Sequence, residues 1–88
     1  MDKQSQLAFL TDLAESLGIE VRQASRKANS VESPGGALVR LKGRELLFID
    51  PGASLVDQVV VVAQALRDRR EIAEMYLPPE IRRLLEAP

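Results

Sequence analysis

The stretch Ala37-Leu38-Val39-Arg40-Leu41-Lys42-Gly43-Arg44-Glu45-Leu46-Leu47-Phe48-Ile49-Asp50 decides the fold. Two mostly apolar runs flank a short polar break that contains a glycine, which is the pattern of a β-hairpin. A two-residue turn at Gly43-Arg44 sets Lys42 opposite Glu45, so that Leu41 meets Leu46 and Val39 meets Phe48 on one face. On the other face Leu38 meets Ile49 and Arg40 meets Leu47. Both faces carry apolar weight. The sheet is therefore expected to lie under helix on one side and to be shielded on the other by a loop or a partner.

On the N-terminal side, Ile19 to Ala24 alternates apolar and polar residues, the period of a half-buried strand. Before it, Leu7, Leu10, Leu13, Ala14 and Leu17 recur at spacings of three and four, which predicts an amphipathic helix over 4–17 closed by Gly18. Residues 25–36, rich in Ser, Asn, Gly and Lys, read as a flexible loop, with Gly35-Gly36 as a hinge before the hairpin. On the C-terminal side, Asp50-Pro51-Gly52-Ala53 breaks the strand. Ser54, followed three residues later by Asp57, marks a helix start, so a helix is expected over 55–69. Its run Val59-Val60-Val61-Val62 favours strand by propensity, but the cap and the length of the segment favour helix. Apolar nearly all round, it reads as the central, most buried element. Residues 72–77 read as a short helical turn, Pro78-Pro79 halts it, and Pro79 opens a last helix through Glu86. The expected fold class is α+β, a single domain over 1–88. Its order is an N-terminal helix, a strand, a hairpin completing a three-stranded sheet, a central buried helix, a short helix and a C-terminal helix.

Composition bounds the function. A hydrophobic fraction of 45% and a charged fraction of 28% describe a cored protein. Aromatics supply only 3%, so the core is aliphatic and stacking platforms for single-stranded nucleic acid are nearly missing. Twelve Lys and Arg against 13 Asp and Glu leave a formal charge of -1, too little for a global basic field. The sequence contains no histidine and no cysteine. That removes the imidazole base, the thiolate nucleophile and the soft metal ligands from the repertoire, and no cofactor is expected. No leader-like or membrane-spanning run is apparent, so a cytoplasmic location is the expectation.

The remaining polar constellations read first as structure. Ser54 lacks a base and reads as a helix cap. Asp50 and Asp57 flank one turn but match no calcium-loop pattern. Arg22, Arg26, Lys27, Arg40, Lys42 and Arg44 spread over strands and loop, either guarding a sheet edge or forming a local basic patch.

The stretch from Leu17 to Asp68 resembles the core of the ImmA/IrrE-type zinc metallopeptidase domains, a zincin-like family. Leu17-Gly18-Ile19-Glu20-Val21, Gly36-Ala37-Leu38-Val39-Arg40 and Leu47-Phe48-Ile49-Asp50 resemble its strands in the same order. The helix that carries L-A-H-E-L-G-H in the family reads Val62-Ala63-Gln64-Ala65-Leu66-Arg67-Asp68 here. The resemblance thus implies a degenerate site in which Gln64, Ala65 and Asp68 replace two zinc-binding imidazoles and a glutamate base. The chain, notably residues 44–50 and 76–82, also resembles a group of small bacterial proteins that carries no function to transfer.

The expectation is a non-catalytic module that binds a protein partner or itself, through Arg40, Lys42 and Arg44 with Leu38, Leu47 and Ile49. The alternative is a nucleic-acid-associated regulator that uses the basic residues of the hairpin and of 22–27. Neither a cofactor nor a membrane is implied.

Overall fold

A computed structural model describes residues 1–24 and 35–86. The hairpin consists of β2 (Gly36–Leu41) and β3 (Arg44–Ile49), antiparallel, with Leu38 opposite Leu47, Val39 opposite Leu46 and Leu41 opposite Arg44. The turn is Lys42-Gly43, one residue earlier than the sequence pattern predicts, and Arg44 is the first residue of β3. Lys42 and Gly43 have φ of 53° and 80°. Two successive positive φ values define the turn whose twist matches that of the flanking strands, and glycine serves best at its second position. Moving the turn slides the pairing by two residues, so Arg40 meets Glu45 and Leu47 meets Leu38. Because a slide of two preserves parity, every side chain stays on its expected face.

β1 (Ile19–Gln23) runs parallel to β3 on its other side, giving the order β1-β3-β2. This mixed three-stranded sheet and its helices make an α+β fold. α1 (Lys3–Ser16) opens on Asp2, whose carboxylate accepts from the Ser5 amide at 2.7 Å. It closes at Leu17 and Gly18, where φ is 89°. α1 and α2 (Leu55–Leu66) pack side by side on one face of the sheet. There Ile19, Leu47 and Ile49 join Leu10, Ala14, Val59, Val62 and Leu66 in an aliphatic core.

α2 starts as expected, with the Ser54 hydroxyl accepting from the Asp57 amide at 3.1 Å. It ends at Leu66 rather than Arg69, because Arg69 folds back, its Nε donating to the Ala65 carbonyl at 3.1 Å. The short helix lies earlier than expected, at α3 (Arg70–Glu74), and α4 (Pro79–Glu86) begins at Pro79. Arg82 holds the intervening segment by donating to the carbonyls of Ile72 and Met75. Ile72, Leu77, Ile81 and Leu85 of this C-terminal part complete the core. No described helix is long and apolar enough to cross a membrane.

The flexible loop expected over 25–36 falls largely outside the described residues, but Gly35 and Gly36 are described and are no hinge. Both are buried, and a Cβ on Gly35 would stand 2.2 Å from the Asp57 carbonyl oxygen. Gly35 is where α2 lies directly on the start of β2. On Gly36 a Cβ would stand 1.9 Å from the Phe48 carbonyl oxygen.

Candidate functional site

The alternation of side chains divides the sheet into two unlike faces. Ile19, Val21, Leu38, Leu47 and Ile49 face the helices. Leu47 and Ile49, expected on an outward partner surface, are core residues exposed by only 0% and 3%. Leu38 is half-buried beside them. The helices cover the face that holds these three residues, and the opposite face carries Ala37, Val39, Leu41, Leu46 and Phe48. Among the described residues no helix packs on that opposite face. Val39 and Leu41 remain 39% and 56% exposed, and Leu46 and Phe48 are half-buried.

α2 is also less enclosed than its composition implies. Gln58, Val59, Val61, Val62, Ala63 and Leu66 are buried, whereas Val56 and Val60 are 53% and 42% exposed. Val56, Val60 and Gln64 form one stripe at spacings of four. Gln64 at its end lines a cleft of about 430 Å³ together with Leu38, Arg40, Ala65, Asp68 and Arg70. Asp57 and Val61 of α2 stand against Gly35 at the start of β2, and the three positions of the zincin resemblance (Gln64, Ala65 and Asp68) share this cleft with the edge strand. No group of three or more acidic residues able to hold a metal ion occurs among the described residues.

The basic residues are paired more than they are pooled. Arg22 and Arg44 both bind the Glu20 carboxylate on the open face. Arg40 reaches Glu45 at 3.2 Å, and Arg69 grips the same carboxylate in a fork, with contacts of 2.6 and 2.5 Å. Hydrogen bonds from Arg69, and secondarily from Arg40, hold the Glu45 carboxyl down to about 2 from its ordinary 4.5. Lys42 sits exposed at the hairpin tip and makes no ion pair among the described residues. Arg26 and Lys27 lie outside the described residues. Ser54 and Asp50 serve the turn before α2: Ser54 caps the helix, and the Asp50 carboxylate accepts from the Gly52 amide at 2.8 Å.

Two surface features carried no sequence signal. Tyr76, 96% exposed, projects from the segment that Arg82 secures. A groove of about 390 Å³ runs between α1 and β1, lined by Leu7, Ala8, Thr11 and Val21 among others. Only tertiary placement, with β1 at the sheet edge beside α1, creates it. Neither a family model, a curated protein nor a solved structure matches the chain.

Proposed function

We infer that this chain is a non-catalytic interaction module, and that it works through the β2 side of the molecule. One observation carries the reading: Val39 and Leu41 of the edge strand are large apolar residues left exposed on the sheet face that no described helix covers, and Val56 and Val60 are left exposed on α2, which packs on the sheet's other face. Scattered apolar residues are ordinary on a protein surface, whereas apolar residues gathered around an unpaired strand mark contact sites. The lack of histidine and cysteine in the sequence supports the non-catalytic part of the reading. So does the use of Ser54 and Asp50 as local turn and cap ligands. Among the described residues, Arg22 and Arg44 pair with Glu20 and Arg40 pairs with Glu45, so the charge of these arginines is partly met within the sheet, and the protein-contact reading is preferred.

The test is molecular mass against concentration, by light scattering or sedimentation, from low to high micromolar chain. Mass that rises with concentration, and rises less when Val60 is replaced by Ser, supports the reading. A strict monomer throughout that range contradicts it.

A further inference from the structure

We propose that the partner is a second copy of this chain, joined through antiparallel pairing of β2 with its counterpart about a two-fold axis at Val39; this rests on the interaction reading above. β2 is an edge strand, and the hydrogen-bond alternation identifies which of its groups are free. Leu41 and Arg44 close the two-residue turn as a bonded pair, so Val39 and Ala37 also bond to β3. The Asp50 amide donating to the Gly35 carbonyl at 2.9 Å continues the same series. Gly36, Leu38 and Arg40 consequently direct their amides and carbonyls away from β3, and no described strand pairs with them.

Parity and charge then select the register. Two outward-bonding residues must meet, so the axis passes through Leu38, Val39 or Arg40 and not between residues. An axis at Arg40 sets two guanidinium groups face to face, which like-charge repulsion opposes. An axis at Leu38 pairs Leu41 with Gly35. An axis at Val39 pairs Val39 with itself and Ala37 with Leu41 twice, so every β2 residue of the open face meets an apolar neighbour.

The same register supplies charge complementarity. It brings Lys42 of one copy opposite Gly36 of the other, beside Gly35, over which the first turn of α2 carries Asp57. Within one chain these two residues lie at opposite ends of β2, and neither has an ion-pair partner among the described residues. Two-fold pairing brings them together twice. It also sets the stripes of Val56 and Val60 on the same side of one six-stranded sheet. The contact is modest in size. A six-residue strand is about 20 Å long, and a sheet with its covering helices is roughly 20 Å deep, which places the interface at the small, reversible end of the range.

The chain has no native cysteine, so cross-linking of the full-length protein reads the register directly. Val39→Cys is expected to form a disulfide-linked dimer under mild oxidation, because opposed Cβ atoms at a non-bonded antiparallel pair stand about 4.5–5.5 Å apart. Ala37→Cys mixed with Leu41→Cys is expected to cross-link more than either variant alone. Val39→Lys is expected to weaken association by about tenfold or more, with an unchanged far-ultraviolet dichroism spectrum showing that it folds. Lys42→Glu is expected to weaken it by about two- to fivefold. If wild-type mass rises with concentration while Val39→Cys fails to cross-link and Val39→Lys still associates, the register is overturned and the interaction reading stands. A wild-type chain that stays monomeric overturns both.

Discussion

At Gly35 the backbone of α2 approaches the start of β2 more closely than any side chain permits, and that contact fixes where α2 sits on the sheet. A methyl group on Gly35 would stand 2.2 Å from a carbonyl oxygen of α2 and 2.7 Å from a Val61 methyl, so one layer must lift off the other. Gly35→Ala is expected to cost about 3 kcal/mol in urea unfolding. Gly18→Ala is the control: its φ of 89° is strained for alanine but nothing lies within 4 Å, so about 1–2 kcal/mol is expected. Equal costs at the two sites would contradict the close approach. Glu45 is the other residue on which the packing of layers turns, since it joins β3 to Arg69 beyond α2. Its carboxyl titrates at about 2 in the folded chain against an ordinary 4.5. A lowered folded value means that the stabilisation is complete above the unfolded value and is lost as pH falls through the folded one. Stability should therefore decline between about pH 4.5 and 2, and Glu45→Gln should flatten part of that decline in a series of urea titrations. Arg69→Ala should cost about 1–2 kcal/mol at neutral pH and nearly nothing more in the Glu45→Gln background.

Among the elements, α2 shows most plainly what could be read in advance and what could not. Its start was legible because Ser54 and Asp57 are local signals, whose bond is made within one turn. Its end was not, because Arg69 leaves the helix to reach Glu45, which is 24 residues away in sequence. The hairpin divides in the same manner. The faces of β2 and β3 follow from strict alternation, whereas the register depends on which two residues take positive φ, and Lys42 offers no composition signal for that role. Which sheet face the helices cover was likewise hidden. Leu38, Leu47 and Ile49 are no more apolar than Leu41, Leu46 and Phe48, so composition does not tell which trio faces the helices. The exposed stripe of α2 gives a prediction that separates packing from contact. Val62, fully buried, loses core contacts on substitution, and Val62→Ala should cost about 2 kcal/mol. Val60→Ala removes a β-branched residue from an exposed helix position, so monomer stability should hold or rise by about 0.5 kcal/mol while association weakens. Denaturation below the association range, alongside mass measurement above it, reads both effects.

For the whole molecule, the consequence of an open sheet edge is that folding and association become linked. A chain of 88 residues has one core and little stability to spare, so a contact made only by the folded form raises its apparent stability by mass action. Two-fold pairing through β2 is isologous: each copy gives and receives the same contacts, and the assembly closes at two chains. That closure distinguishes it from aggregation through an exposed edge, which continues without limit and shows no plateau in mass. The linkage has a measurable size. Where dimer predominates, each tenfold increase in chain concentration contributes about 1.4 kcal/mol per dimer, or roughly 0.7 kcal/mol per chain. For a domain of this length 1 kcal/mol moves the thermal midpoint by about 4–8 °C, so each tenfold step should raise the midpoint by about 3–5 °C. Val39→Lys, which sets two lysines across the axis, should stay near the low-concentration midpoint of the wild-type chain over the range where the wild-type midpoint rises, and should begin to rise only at a chain concentration about tenfold or more higher. A wild-type midpoint that does not move between low and high micromolar chain would show that the β2 edge is left open in the folded molecule.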